Sequence, residues 1–81
     1  MSKSLRSPRH EVLCALIRER RKAAGLTQAA VAEKLGRYQS YVAMLEGGER
    51  LIEVVEFVQI AEAIGFDPAA VIKQLAKISQ S

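Results

Sequence analysis

Apolar residues recur along this chain at intervals of three and four, and the runs break at glycine or restart at a capping residue followed by proline. Ser7-Pro8 supplies an N-cap and a proline at the first helical position. Leu13, Leu16 and Ile17 follow at helical spacing with Arg20 and Arg21, and Gly25 stops the run after Ala24. A second helix opens on Thr27 as N-cap, turns Val31, Ala32 and Leu35 inward and ends at Gly36. A short third helix is predicted over 38–46, with Val42 and Leu45 inward, and Gly47-Gly48 breaks it. A fourth covers 53–64 and closes at Gly65, with Val54, Phe57, Ile60, Ala61 and Ile64 on one face. Asp67-Pro68 starts a fifth, whose Val71, Ile72, Leu75 and Ile78 form a stripe. No segment alternates with period two over a useful length. The pattern predicts an all-α domain of five helices over 7–78, with a flexible basic arm at 1–6 and a tail at 79–81.

Composition narrows the class. Eighty-one residues make one domain, and 49% of them are apolar, with no Trp and two each of Tyr and Phe. A core of Leu, Ile, Val and Ala suits packed helices better than sheets. Lone Cys14 cannot form an internal disulfide, and no apolar run reaches the ~18 residues of a membrane span. Residues 1–6 lack the apolar stretch of a signal peptide, so a soluble, cytoplasmic protein is expected. The net charge of +3 hides an asymmetry. Residues 1–37 carry nine Lys and Arg against three acids, whereas residues 38–81 carry three against six. A basic half joined to an acidic half is what a protein meeting a polyanion at one end would show.

Residues 27–46 carry the functional signal: two short helices meeting across a tight turn. Ala32 must be small where the third helix crosses the second, and Gly36 suits a left-handed turn between them. Val42 and Leu45 anchor the second helix of the unit and leave its other face free to enter a groove.

The strings RKAAGLTQAAVAEKLG, QSYVAMLEGGER and IAEAIGFDP resemble the XRE family, the helix-turn-helix domain of phage Cro and repressor proteins. The resemblance runs from Leu13 to about Leu75. It implies a five-helix phage-repressor-like fold with a helix-turn-helix at 27–46, a dimer on a roughly palindromic operator, and a role in transcription control. It also implies that Thr27 and Gln28, at the start of the second helix, lie at the DNA with Gln28 bonding a phosphate, and that Gln39 and Ser40 read base edges with Met44 one turn further on. Glutamine can bond adenine through N6 and N7, and methionine can touch a thymine methyl. Arg37 and Tyr41 flank the helix and suit phosphates. Tyr38 departs from the Ser, Thr or Pro of many relatives and cannot cap with a short hydroxyl, so this helix start is expected to lean on DNA for polar partners. Arg21 and Glu46 match the family's internal ion pair and are assigned to structure. Arg18, Arg20 and Lys22 are expected to be solvated.

Other chemistry finds no residues. His10 and Cys14 are each single, which leaves no metal ligand set; Gly47-Gly48 precedes Glu49 rather than a phosphate-gripping Lys; and Ser40 has no His as general base. Neither an enzyme nor a cofactor or small-molecule site is expected. The apolar residues of the fourth helix exceed what so small a core needs. Val55 points away from the inward face, Leu51 and Val58 sit at its margin, and Ile52 is placed exposed on the preceding loop. With Ile78 of the fifth helix they are the candidate homodimer interface. Two other functions fit the same fold: an antitoxin that binds its operator and masks a toxin, and an adaptor that uses the domain only for protein contacts.

Overall fold

The computed structural model describes residues 7–79, so the expected arm at 1–6 and all but the first residue of the tail lie outside the described residues. Among the described residues there are five helices: α1 (Pro8–Ala23), α2 (Gln28–Leu35), α3 (Gln39–Glu46), α4 (Val54–Ile64) and α5 (Pro68–Ala76). Three of them start on a side-chain cap. Ser7 Oγ accepts the His10 N–H at 3.2 Å, Thr27 Oγ1 the Ala30 N–H at 3.0 Å, and Asp67 Oδ1 the Ala69 N–H at 3.0 Å. Gly36 ends α2 in the left-handed conformation, with φ 68°. The N–H groups of Gly36 and Arg37 then return to the carbonyls of Glu33 and Ala32 at 3.1 and 2.9 Å. These two bonds satisfy orphan carbonyls of α2 and swing the chain directly into α3.

The core draws on every helix. Ile17 of α1, Val31 and Ala32 of α2, Val42 and Leu45 of α3, Ile60 of α4 and Val71 of α5 are each no more than 2% exposed. Arg9 joins the two ends of the domain: its Nε donates to the carbonyls of Leu75 and Ile78 at 3.1 and 3.0 Å, capping the end of α5 from α1. Buried His10 and Cys14 approach to 3.6 Å, and behind them Gly48 turns with φ 73°. A Cβ there would lie 3.8 Å from the Cys14 sulfur, so a left-handed backbone rather than lack of space requires glycine at this turn. Among the described residues no helix is long and apolar enough to cross a membrane.

Four placements differ from the pattern. Val54 and Ile72, expected inward, are 78% and 51% exposed. Val54 is the first residue of α4, on a turn that overhangs the edge of the core, and Ile72 sits a quarter-turn or more from buried Val71. Ile78 lies beyond α5 and is half-buried. Ile52, expected exposed, is half-buried against the core because the loop ahead of α4 folds back over it.

Ala32 is a small buried residue of α2, and its carbonyl bonds the Arg37 N–H in the turn that leads to α3. Ala32→Leu should force the two helices apart at a cost of about 1–3 kcal/mol, lowering the thermal midpoint by several degrees. A melting curve matching the unmodified chain would show that the crossing has room to spare.

Candidate nucleic-acid interface

Helix α3 is eight residues long, and its geometry divides it into a buried seam, an open face and two flanks. Val42, Leu45 and Glu46 form the seam. Ser40, Ala43 and Met44 point away from it; the first two are exposed and Met44 half so. Gln39 and Tyr41 occupy opposite flanks. The open face carries no charge, and no basic residue lies in α3 at all. At its start Tyr38 is 86% exposed and makes no side-chain cap bond, so the first N–H groups of α3 are left to solvent or to a ligand.

On the Gln39 flank stands a buried ion pair. Arg21 of α1 grips Glu46 with two bonds, Nε to Oε2 at 2.6 Å and Nη2 to Oε1 at 2.9 Å. The remaining arm of the guanidinium donates to the Leu26 carbonyl at 2.9 Å. Gln28 at the start of α2 donates to the same carboxylate at 3.1 Å, and its own carbonyl oxygen accepts from the Gln39 amide at 3.3 Å. A chain of contacts thus runs from the core to the first residue of α3. Arg18, half-exposed, stands 3.7 Å from Glu46 and leaves a cation at the surface of this flank.

On the Tyr41 flank stands a second buried carboxylate, Glu56 of α4. Its Oε1 accepts the Glu53 N–H at 3.1 Å, which caps α4. Its Oε2 accepts from the Tyr41 hydroxyl and, at 2.7 Å, from Arg50 Nη1. The guanidinium carbons of Arg37 and Arg50 lie 4.2 and 5.7 Å from the Tyr41 ring centre. Burial and the Glu56 carboxylate push the Tyr41 hydroxyl up, which keeps it protonated as the donor.

The residues singled out in the sequence therefore fall into groups. Gln28, Gln39, Arg21 and Glu46 are one connected network, and Arg37 and Tyr41 belong to the other. Thr27 spends its hydroxyl on the α2 cap, while Ser40 and Met44 are left on the open face. Arg18 and Arg20, expected to be plainly solvated, each have a contact: Arg18 with Glu46, and Arg20 at 5.8 Å from the Phe66 ring. Sequence reading missed Arg50 and Glu56. The only local signal for Glu56 was a carboxylate three residues after Glu53, the spacing of a capping pair.

A family profile described as a helix-turn-helix domain matches residues 12–73. Among solved structures, an XRE-family like protein from Pseudomonas syringae pv. tomato is 43% identical, covering 84% of this chain and 83% of its own, with a TM-score of 0.79. The chain belongs to the XRE family of helix-turn-helix proteins. The restriction-modification controller protein C.AhdI from Aeromonas hydrophila is 34% identical, covering 68% of this chain and 80% of its own, with a TM-score of 0.62. The clp gene regulator ClgR from C. glutamicum is 26% identical, covering 84% and 87%, with a TM-score of 0.74. No curated protein matches. Membership places this XRE-family chain among DNA-binding transcription regulators.

Both hub carboxyls are held below the usual carboxylate range. Burial pushes each up, but bonds from Arg21 and Gln28 onto Glu46, and from Tyr41 and Arg50 onto Glu56, outweigh it. A carboxyl depressed in the folded state contributes stability that is complete above the ordinary Glu range, begins to fall as pH enters it, and is lost as pH falls through the lower folded-state value. The thermal midpoint should hold from about pH 6 upward and drop once pH falls below about 4.3. Glu46→Ala strands the Arg21 guanidinium and should cost about 3–5 kcal/mol at neutral pH while making the acid drop shallower. Unfolding curves at pH 7 and pH 4 that are identical for variant and unmodified chain would refute a stabilising role for the pair.

Proposed function

We propose that this chain is a cytoplasmic, sequence-specific regulator that binds double-stranded DNA as a dimer and reads a palindromic operator with α3 in the major groove. The observation that carries this is the uncharged face of Ser40, Ala43 and Met44, bracketed by Arg18 on one flank and by Arg37 and Arg50 on the other. A major groove presents base edges between two rows of phosphates, so a neutral reading face with cations at both edges matches its chemistry. Gln39 is the specific reader, with Ser40 and Met44 beside it. Gln28 approaches a phosphate and also holds the Gln39 amide ready before DNA arrives, which lowers the entropy lost on binding. Occupying an operator needs only the bundle described, which favours repression, including repression of the chain's own promoter. The reading calls for no cofactor, metal or small-molecule ligand.

The second copy belongs on the apolar surface at the start of α4. Leu51, Val54, Val55 and Val58 of this surface are 39–78% exposed, and Ile72 of α5 continues it. A shallow apolar groove of about 160 Å³ between α4 and α5, floored by Phe57, gives a partner side chain somewhere to insert. The expected interface therefore keeps Leu51, Val55 and Val58, gains Val54 and Ile72, and gives Ile52 and Ile78 lesser parts. A two-fold axis here would set two α3 helices one DNA turn apart, about 34 Å.

Two measurements test the reading. Gln39→Ala should lose about 1–3 kcal/mol on a duplex selected from a random pool and little on unrelated DNA. Gln28→Ala should weaken binding to both, with the larger loss on the selected duplex; equal losses for both variants on both duplexes would reduce Gln39 to a positioning contact. Sedimentation at micromolar concentration should show a dimer that Val55→Glu dissociates without loss of helical signal. A monomer that protects a single half-site rules out the dimer.

A further inference from the structure

We propose that Glu56 is a positioning residue for DNA binding, its buried carboxylate holding Arg50 and Tyr41 so that Arg37 and Arg50 form a paired guanidinium clamp for the backbone phosphate on the Tyr41 flank of α3. The inference rests on the DNA-binding reading above and assigns a residue of α4, outside the helix-turn-helix, to it.

Three observations converge on the clamp. The first is the division of labour on Glu56. Capping α4 occupies Oε1 alone, whereas Oε2 takes both the Tyr41 hydroxyl and Arg50. A carboxylate only 9% exposed is costly to bury, and a cap needs one oxygen; the second oxygen is spent on groups that face the flank of α3. The second is charge. Two guanidinia stand beside one aromatic ring and only Arg50 is paired with a carboxylate, so the cluster keeps one positive charge over. Arg37 has no carboxylate partner among the described residues, its contact being the Tyr41 ring, and Arg50 commits one nitrogen to Glu56 and keeps the rest of its fork. The third is position. Arg37 comes from the turn before α3 and Arg50 from the loop after it, so the two cations converge on Tyr41 from both ends of the helix. A phosphodiester neutralises the surplus charge and accepts from several N–H donors at once, which is the geometry guanidinium pairs serve best.

The sign of one substitution separates this from a bystander role. Glu56→Gln keeps an oxygen for the Glu53 N–H and a polar partner for Tyr41, but removes a negative charge near the DNA. If Glu56 only stabilises α4, losing that charge should tighten binding to any duplex. If it positions the clamp, binding should weaken on selected and unrelated duplexes alike, by roughly tenfold, the worth of one charge-assisted hydrogen bond. The full chain is titrated with both duplexes by fluorescence anisotropy at several salt concentrations. Arg37→Ala and Arg50→Ala should each lower the slope of log affinity against log salt by about 0.9, the release of one counterion. Glu56→Gln should cost nothing further in an Arg50→Ala background. Tighter or unchanged binding by Glu56→Gln, or an equal loss with and without Arg50, overturns the proposal while leaving the DNA-binding reading intact. Should Glu56→Gln fail to fold, an unchanged salt slope for Arg50→Ala overturns it alone. Absence of salt-dependent binding by the unmodified chain removes the DNA-binding reading and the clamp with it.

Discussion

A carboxylate at the end of α3 has to be buried and neutralised, and much of the domain is arranged to do so. Glu46 is 5% exposed, and its two oxygens take Arg21 from α1, Gln28 from α2 and the nearby charge of Arg18. Arg21 in turn closes the loop to α2 through the Leu26 carbonyl. One charge therefore ties α1, the α1–α2 loop, α2 and α3 together. An apolar pair could hold those helices as firmly, since desolvating two ions offsets much of their attraction. What an ion pair adds is direction: a bidentate guanidinium accepts one orientation of the carboxylate, and that fixes the rotation of α3 about its own axis.

Rotation is what a reading helix must control. One residue of slip turns a helix by about 100°, enough to replace an open face with a flank. In α3 that setting is enforced twice, by Glu46 on the Gln39 side and by the Tyr41 hydroxyl on Glu56 at the other. Val42 and Leu45 supply the burial between the two but would tolerate small rotations that the polar contacts do not. Apolar packing gives α3 its adhesion to the bundle and the two carboxylates give it its bearing.

Starts and stops of helices were legible in the sequence because they are local chemistry. Ser7, Thr27 and Asp67 cap within three residues, and Gly36 and Gly65 supply left-handed turns wherever they stand. The open face of α3 followed from the same periodicity. Sidedness at helix ends did not, because a wheel gives an angle and not a depth: Val54 shares roughly the angle of the inward residues yet is largely exposed, and Ile52 is packed against the core by a loop that no wheel describes. Glu56 stands among the polar residues of α4, and it is buried. Its burial depends on Arg50 and Tyr41, six and fifteen residues away, and neither local pattern nor propensity discloses such donors. Arg21 and Glu46, twenty-five residues apart, were reachable only through the family resemblance.

The distribution of charge also bears on how affinity and specificity are divided. Helix α3 contains no cation, so on the proposed reading nothing on the reading face attracts DNA of arbitrary sequence. On the same proposed reading the attraction would come from Arg18 in α1, Arg37 in the turn and Arg50 in the following loop, all outside the open face of α3. Phosphate contacts are indifferent to sequence and sensitive to salt, whereas amide and methyl contacts to bases are the reverse. On the proposed reading, placing the two kinds on different elements would let Gln39, Ser40 and Met44 vary without disturbing the electrostatic hold. Placing a neutral face between two cationic flanks also limits binding to the wrong sequence, because a misread site gains only the flanks. The coupling between them runs through Glu46 and Glu56, and those two carboxylates are where a change in the scaffold would alter both properties together.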